Sequence, residues 1–155
     1  MSFVVTGLPL ETFQPLFDLD DAALAERGVI RSIVQPGERS PCRVTLEDAS
    51  PGERILLLNY EHQSAPTPYR SRHAIFVREA SPQTCTVRDS LPPVMHSRVM
   101  SLRAFSADGV IVDARLAQPD EVAAAIERQF ADPRAAYIHA HYAAYGCYAA
   151  RIDRA

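Results

Sequence analysis

The sequence predicts an α+β domain built on a mainly antiparallel sheet, and three observations carry that reading. Between residues 29 and 116, short apolar or alternating runs recur between clusters of Pro, Gly and Ser, the pattern of successive strands. Two of these runs flank Ser106-Ala107-Asp108-Gly109, and Asp-Gly readily takes the positive φ of a tight hairpin. One strong helical period follows, with Val122, Ile126 and Phe130 recurring on one face.

Residues 3–6 form a first extended segment. The run from Leu8 to Phe17 is interrupted by Pro9 and Pro15, so only short helical turns fit there. Asp18 or Asp20 caps a helix through Ala22, Ala23, Leu24 and Ala25 that stops at Gly28. Strands are predicted over 29–34, 42–46, 55–60, 74–77 and 85–87, with turns at Pro36-Gly37 and Pro51-Gly52. Residues 99–105 pair with 110–116 across the Asp-Gly turn. A helix over 120–131 takes Pro119, Asp120 and Glu121 at its start, where a missing N–H and negative charge are both favourable, and Asp132-Pro133 ends it. The stretch 137–152, aromatic residues interleaved with alanine, reads as two strands broken near Gly146 in preference to a terminal helix.

The 155 residues fit one domain, residues 1–155, and at 47% hydrophobic and 23% charged the chain is of ordinary globular composition, which excludes wholesale disorder. A formal charge of -3 provides no general attraction for nucleic acid or an anionic membrane surface. No apolar run approaches the roughly 18 residues of a membrane span, and Met1-Ser2-Phe3-Val4-Val5 lacks the basic start of a secretory signal, so a cytoplasmic location is expected. Cys42, Cys85 and Cys147 are odd in number and widely spaced, which predicts three free thiols. All 16 basic residues are arginine.

His139-Ala140-His141 is the most suggestive constellation, because residues two apart on a strand project from one face and can share a metal. A third ligand is available from His62 or Glu61 at the end of the strand 55–60, or from Cys147 past the turn. Paired histidines also serve as hydrogen-bonded core residues, and that bland reading carries more weight than metal binding on spacing alone. A second constellation joins Arg43 with Tyr69 and Arg70, the latter two beyond the proline-stiffened 64–68 loop. If these loops converge on His139 and His141, they offer a planar fork, a phenol and imidazoles to a small anionic ligand. Solvated loop charges are the competing reading for any one arginine. Cys147 beside Gly146 reads first as a buried small hydrophobe and second as a nucleophile. Tyr142, Tyr145 and Tyr148 suit a core or a subunit contact. Glycine-rich phosphate loops, a serine-centred elbow and a His-Glu-x-x-His helix are absent.

The segments Pro41-Cys42-Arg43-Val44, residues 56–62, Tyr69-Arg70, residues 75–79, His139-Ala140-His141 and Gly146-Cys147-Tyr148 resemble the bacterial family catalogued as domain of unknown function 1203. The resemblance implies a complete single-domain protein and brings no substrate, cofactor or catalytic residue. The sequence therefore leaves three functional expectations. The first is a small-anion site from Arg43, Tyr69, Arg70, His139 and His141. The second is a non-catalytic interaction or homo-oligomer module using the tyrosine-rich C-terminal segment, and the third a metal site from His139, His141 and His62.

Overall fold

Strand alternation organises the molecule, since each central strand sends one set of side chains to an apolar core and the other to a polar or aromatic face. The computed structural model describes all 155 residues. Its strands are β1 (Phe3–Thr6), β2 (Ile30–Ile33), β3 (Arg54–Gln63), β4 (Ser71–Arg78), β5 (Thr86–Arg88), β6 (Met100–Phe105), β7 (Ile111–Ala117), β8 (Tyr137–Tyr142) and β9 (Tyr148–Arg154). The helices are α1 (Gln14–Phe17), α2 (Asp21–Glu26) and α3 (Val122–Phe130), with two 3-10 turns at Leu10–Thr12 and Pro93–Met95. A six-stranded sheet runs in the order β5-β1-β9-β8-β6-β7, and a three-stranded sheet runs β2-β3-β4. Every pairing between these strands is antiparallel, as the sequence predicts.

One face of the large sheet carries Leu102, Ala104, Ile138, Ala140 and Ile152 and is covered by Val122, Ile126 and Phe130 of α3. Those three helix residues are almost completely buried, which is the outcome their spacing predicts. A second core joins the small sheet, through Leu56, Leu58, Ile75 and Val77, to the N-terminal Leu8, Phe13, Leu24 and Val29, and it includes Tyr148 of β9. Asp20 caps α2 by accepting the Ala23 N–H, and Gly28 ends that helix at positive φ.

One expected strand does not form. Residues 42–46 fold as a tight loop flanked by isolated bridges at Pro41 and Cys42, with Leu46 at φ 55°. The apolar alternation there reflects burial of Cys42, Val44 and Leu46, each fully inaccessible, while the Val44 and Thr45 N–H groups donate to Cys42 Sγ and the Leu46 N–H to Cys42 O. All three cysteines are free thiols. No helix is long and apolar enough to cross a membrane.

The Asp108-Gly109 turn forms as the sequence predicts, and it does a second job. Gly109 has φ +80°, and a Cβ built there lies 2.3 Å from Ala65 Cβ, while its carbonyl accepts the Thr67 hydroxyl. The hairpin tip thereby docks the loop that follows β3. Gly109→Ala is expected to cost about 2 kcal/mol or more, from left-handed strain plus the clash. Urea unfolding should show the loss, with part of it restored by adding Ala65→Gly. An unchanged midpoint for Gly109→Ala would contradict this packing.

Candidate metal centre

On β8 the residues Tyr137, His139 and His141 alternate with Ile138, Ala140 and Tyr142, so the core-facing set dictates that the first three share the opposite face. The neighbouring β6 places Ser101 opposite His141, Arg103 opposite His139 and Phe105 opposite Tyr137. On the other side, a register shift between Ala140 and His141 brings Tyr148 of β9 opposite His141. The end of β3 lies over this face. A bulge between Glu61 and Gln63 leaves His62 as the extra residue, and bulges characteristically re-aim a side chain. Gln63, buried next to it, donates to the Tyr137 hydroxyl at 2.9 Å and ties the two sheets together.

The result is a cluster of three imidazoles. One potential ligand atom from each of His62, His139 and His141 lies within 4.8 Å of the other two. Nitrogens sharing one zinc ion at about 2.0–2.1 Å sit about 3.4 Å apart, so closure on an ion needs shifts of only about 1 Å. His139 is 4% exposed, His141 1%, and His62 is half-buried, leaving its side as the way in.

Aromatic rings hold the imidazoles in place. Tyr148 stacks on His62 at 5.2 Å between centroids and 10° between planes, and meets His139 and His141 edge-on. Phe105 and Tyr137 flank His139 at 5.0 and 5.1 Å. Burial raises the phenol pKa of Tyr148, which stays neutral.

Hydrogen bonding separates the three rings. His141 Nδ1 donates to Gly146 O at 2.9 Å, which fixes the tautomer and frees the Nε2 lone pair. His62 Nδ1 and His139 Nδ1 are buried without any partner. A buried donor or acceptor left unsatisfied costs about 1–3 kcal/mol, so a cluster with two of them is poor packing unless something completes it. Burial, reinforced by neighbouring cations, pushes His139 and His141 down to about 3 and His62 to about 4. All three are neutral near pH 7, the form that ligates metal.

The other expected residues have different roles. Arg43 is 2% exposed, and its guanidinium donates to Tyr148 O at 2.7 Å, Pro41 O at 2.5 Å and Cys147 Sγ at 3.0 Å. The anion-orienting role expected for Arg43 therefore gives way to a structural one, because its fork is already occupied. Arg70 is 60% exposed and pairs with Glu61, while the half-exposed Tyr69 meets the edge of Phe105, the ring that packs on His139. The candidates for a third ligand divide similarly: His62 joins the cluster, whereas Glu61 pairs with Arg70 and Cys147 is buried against Arg43. Tyr142 and Tyr148 are core residues, which leaves Tyr145, 85% exposed, as the one surface tyrosine of that series.

The largest cleft, about 820 Å³, lies elsewhere, among Arg39, Phe76, Arg98, Tyr142 and Tyr145. Its size suits a ligand, but its arginines are engaged: Arg98 with Asp48, Arg39 with Ser97 and Arg43 as above. The cleft has one buried polar atom without a partner, the Tyr142 hydroxyl, whereas the histidine cluster has two, both on metal-ligating side chains.

The family profile described as "Protein of unknown function (DUF1203)" matches residues 39–154. The chain belongs to the DUF1203 family. The matched DUF1203 span contains all three histidines together with Arg43, Arg103 and Tyr148, while β1, α1, α2 and β2 precede it. No curated protein and no solved structure is significantly similar to this DUF1203 chain.

Proposed function

We propose that this protein binds one divalent transition-metal ion through His62, His139 and His141 and uses an open coordination position on it. The observation that supports this most is the convergence of three neutral, largely buried imidazoles, two of them carrying a buried nitrogen without a partner. Imidazole-only donor sets suit Zn²⁺ and the neighbouring first-row ions, and three protein ligands leave a position for water or substrate. An ion so held acts as a Lewis acid toward that ligand. His141 is oriented by Gly146 O and His62 by the Tyr148 ring, so the site is partly organised before the ion arrives.

Equilibrium dialysis against Zn²⁺ and Co²⁺ tests the reading. One ion per chain is expected. Changes to outer-shell partners of metal ligands already cost 10–100-fold in affinity, so His62→Ala, His139→Ala or His141→Ala should each cost at least about a hundredfold. His96→Ala, whose ring only caps Leu91 O, should change nothing. Equal affinity in the three cluster variants and the parent would refute the site.

A further inference from the structure

Arg103 stands out among the arginines of this protein. Those with largely shielded side chains are paired: Arg31 with Glu79 and Asp21, Arg78 with Glu53 and Glu47, and Arg98 with Asp48. Arg43 is saturated by two carbonyls and a thiol. Arg103 is partly buried on the histidine face, directly opposite His139 in the β6–β8 register, and has no carboxylate partner. Its single hydrogen bond is a long one, 3.4 Å, to Ser101 Oγ. Removing a guanidinium from water without a counter-charge is unfavourable, and burial lowers its pKa accordingly.

Charge balance sharpens the point. A divalent ion held by three neutral imidazoles keeps its full charge, and Arg103 adds one more within a side-chain length. The one carboxylate on the adjoining stretch of β9, Asp153, is committed to Arg151, and Glu61 at the end of β3 to Arg70. An anion is the missing component.

We infer that Arg103 forms an anion subsite beside the three-histidine centre, and that the ligand taken there is a small carboxylate bridging the ion and the guanidinium. The inference rests on the metal reading above. A single planar fork matches a carboxylate in two parallel hydrogen bonds, and the other arginine of this face, Arg151, opposite His139 in the β8–β9 register, is already paired with Asp153, so a phosphate dianion finds one free guanidinium. Both clefts of the surface lie away from the histidines, so the ligand is one of few atoms. Phe105, partly covered by Tyr69, provides an apolar wall for its carbon end.

The test uses Co²⁺-loaded protein, titrated with acetate and pyruvate and followed by the visible ligand-field bands. Acetamide and phosphate serve as comparisons, and imidazole as a neutral probe of the open position. Carboxylates are expected to bind and acetamide to leave the spectrum unchanged. In Arg103→Gln, carboxylate affinity should fall at least tenfold while Co²⁺ and imidazole affinities stay at the parent values, with Arg103→Lys in between. Retained Co²⁺ binding also shows that the variant folds, which is expected because the one group Arg103 leaves is the part-exposed Ser101 hydroxyl, at the end of a long hydrogen bond. Undiminished carboxylate binding in Co²⁺-loaded Arg103→Gln overturns the subsite, and phosphate binding tighter than acetate overturns the carboxylate assignment. Failure of the parent protein to take Co²⁺ overturns the metal reading, and this inference with it.

Discussion

Arg43→Met is expected to lower the folding stability by about 3–5 kcal/mol, the largest effect of any single side chain outside the apolar cores. Charge-assisted hydrogen bonds are worth about 1.5–3 kcal/mol each, and removing one partner of a buried pair leaves the other to bear its desolvation. Here the orphaned groups are the carbonyls of Tyr148 and Pro41, and the guanidinium packed 4.8 Å from the Tyr142 ring centroid is lost as well. The damage also reaches the metal centre. Tyr148 is the residue whose backbone Arg43 holds and whose ring stacks on His62. Chemical denaturation measures the first effect and Zn²⁺ affinity of the folded fraction the second. Arg43→Lys should recover only part of both, since an ammonium cannot reproduce the fork. A loss below about 1 kcal/mol in Arg43→Met, a typical surface value, would show that these contacts matter little.

The second large effect is acid sensitivity of the metal-free protein. His139 and His141 are pushed down to about 3 from an ordinary value of 6.5, with burial the leading cause and the cations Arg103 and Arg151 adding to it for His139. In the unfolded chain these rings take up protons as pH drops through about 6.5; in the folded chain they do not. Stability is therefore full above pH 6.5 and declines progressively until the folded rings themselves protonate near pH 3. Each well-buried ring contributes on the order of 4 kcal/mol across that window. Native carboxylates with lowered pKa values, such as Asp132 and Asp89, lose their contribution only at lower pH, so the two effects separate on the pH axis. With chelator present, urea midpoints should fall between pH 7 and 5, and His139→Leu should flatten that fall. The same variant removes a buried nitrogen that has no partner, so at pH 7 the metal-free His139→Leu protein is expected to match or exceed the parent in stability while losing the metal. A parent midpoint that stays level from pH 7 to 5 would contradict the buried, neutral cluster.

How much of this was legible in the sequence depends on the range of the interaction. The Asp108-Gly109 hairpin, the face of α3 and the common face of His139 and His141 are local, period-based features, and each formed as the spacing dictates. His62 was visible only as one of several third ligands, because the bulge that turns it toward β8 arises from the β3–β4 register. Arg103 carried no signal of its own. Its position opposite His139 comes from pairing strands about 35 residues apart in sequence, with a helix between them, a contact that no local pattern encodes. Arg43 misled for the opposite reason: an arginine after Pro41-Cys42 at the start of an expected strand reads as an accessible anion-binding group, and only the closed loop over 42–46 shows that its surroundings are core. The same loop explains the expected strand that does not form, since period-two apolar residues mark burial as readily as extended backbone.

X-ray absorption at the zinc edge of the metal-loaded protein tests the central claim most directly. The account predicts a first shell of nitrogen and oxygen scatterers at about 2.0–2.1 Å, with the outer-shell pattern of three imidazoles that drops to two in His62→Ala. A sulfur scatterer at about 2.3 Å, or a spectrum with no imidazole contribution, would place any bound metal elsewhere and contradict the account.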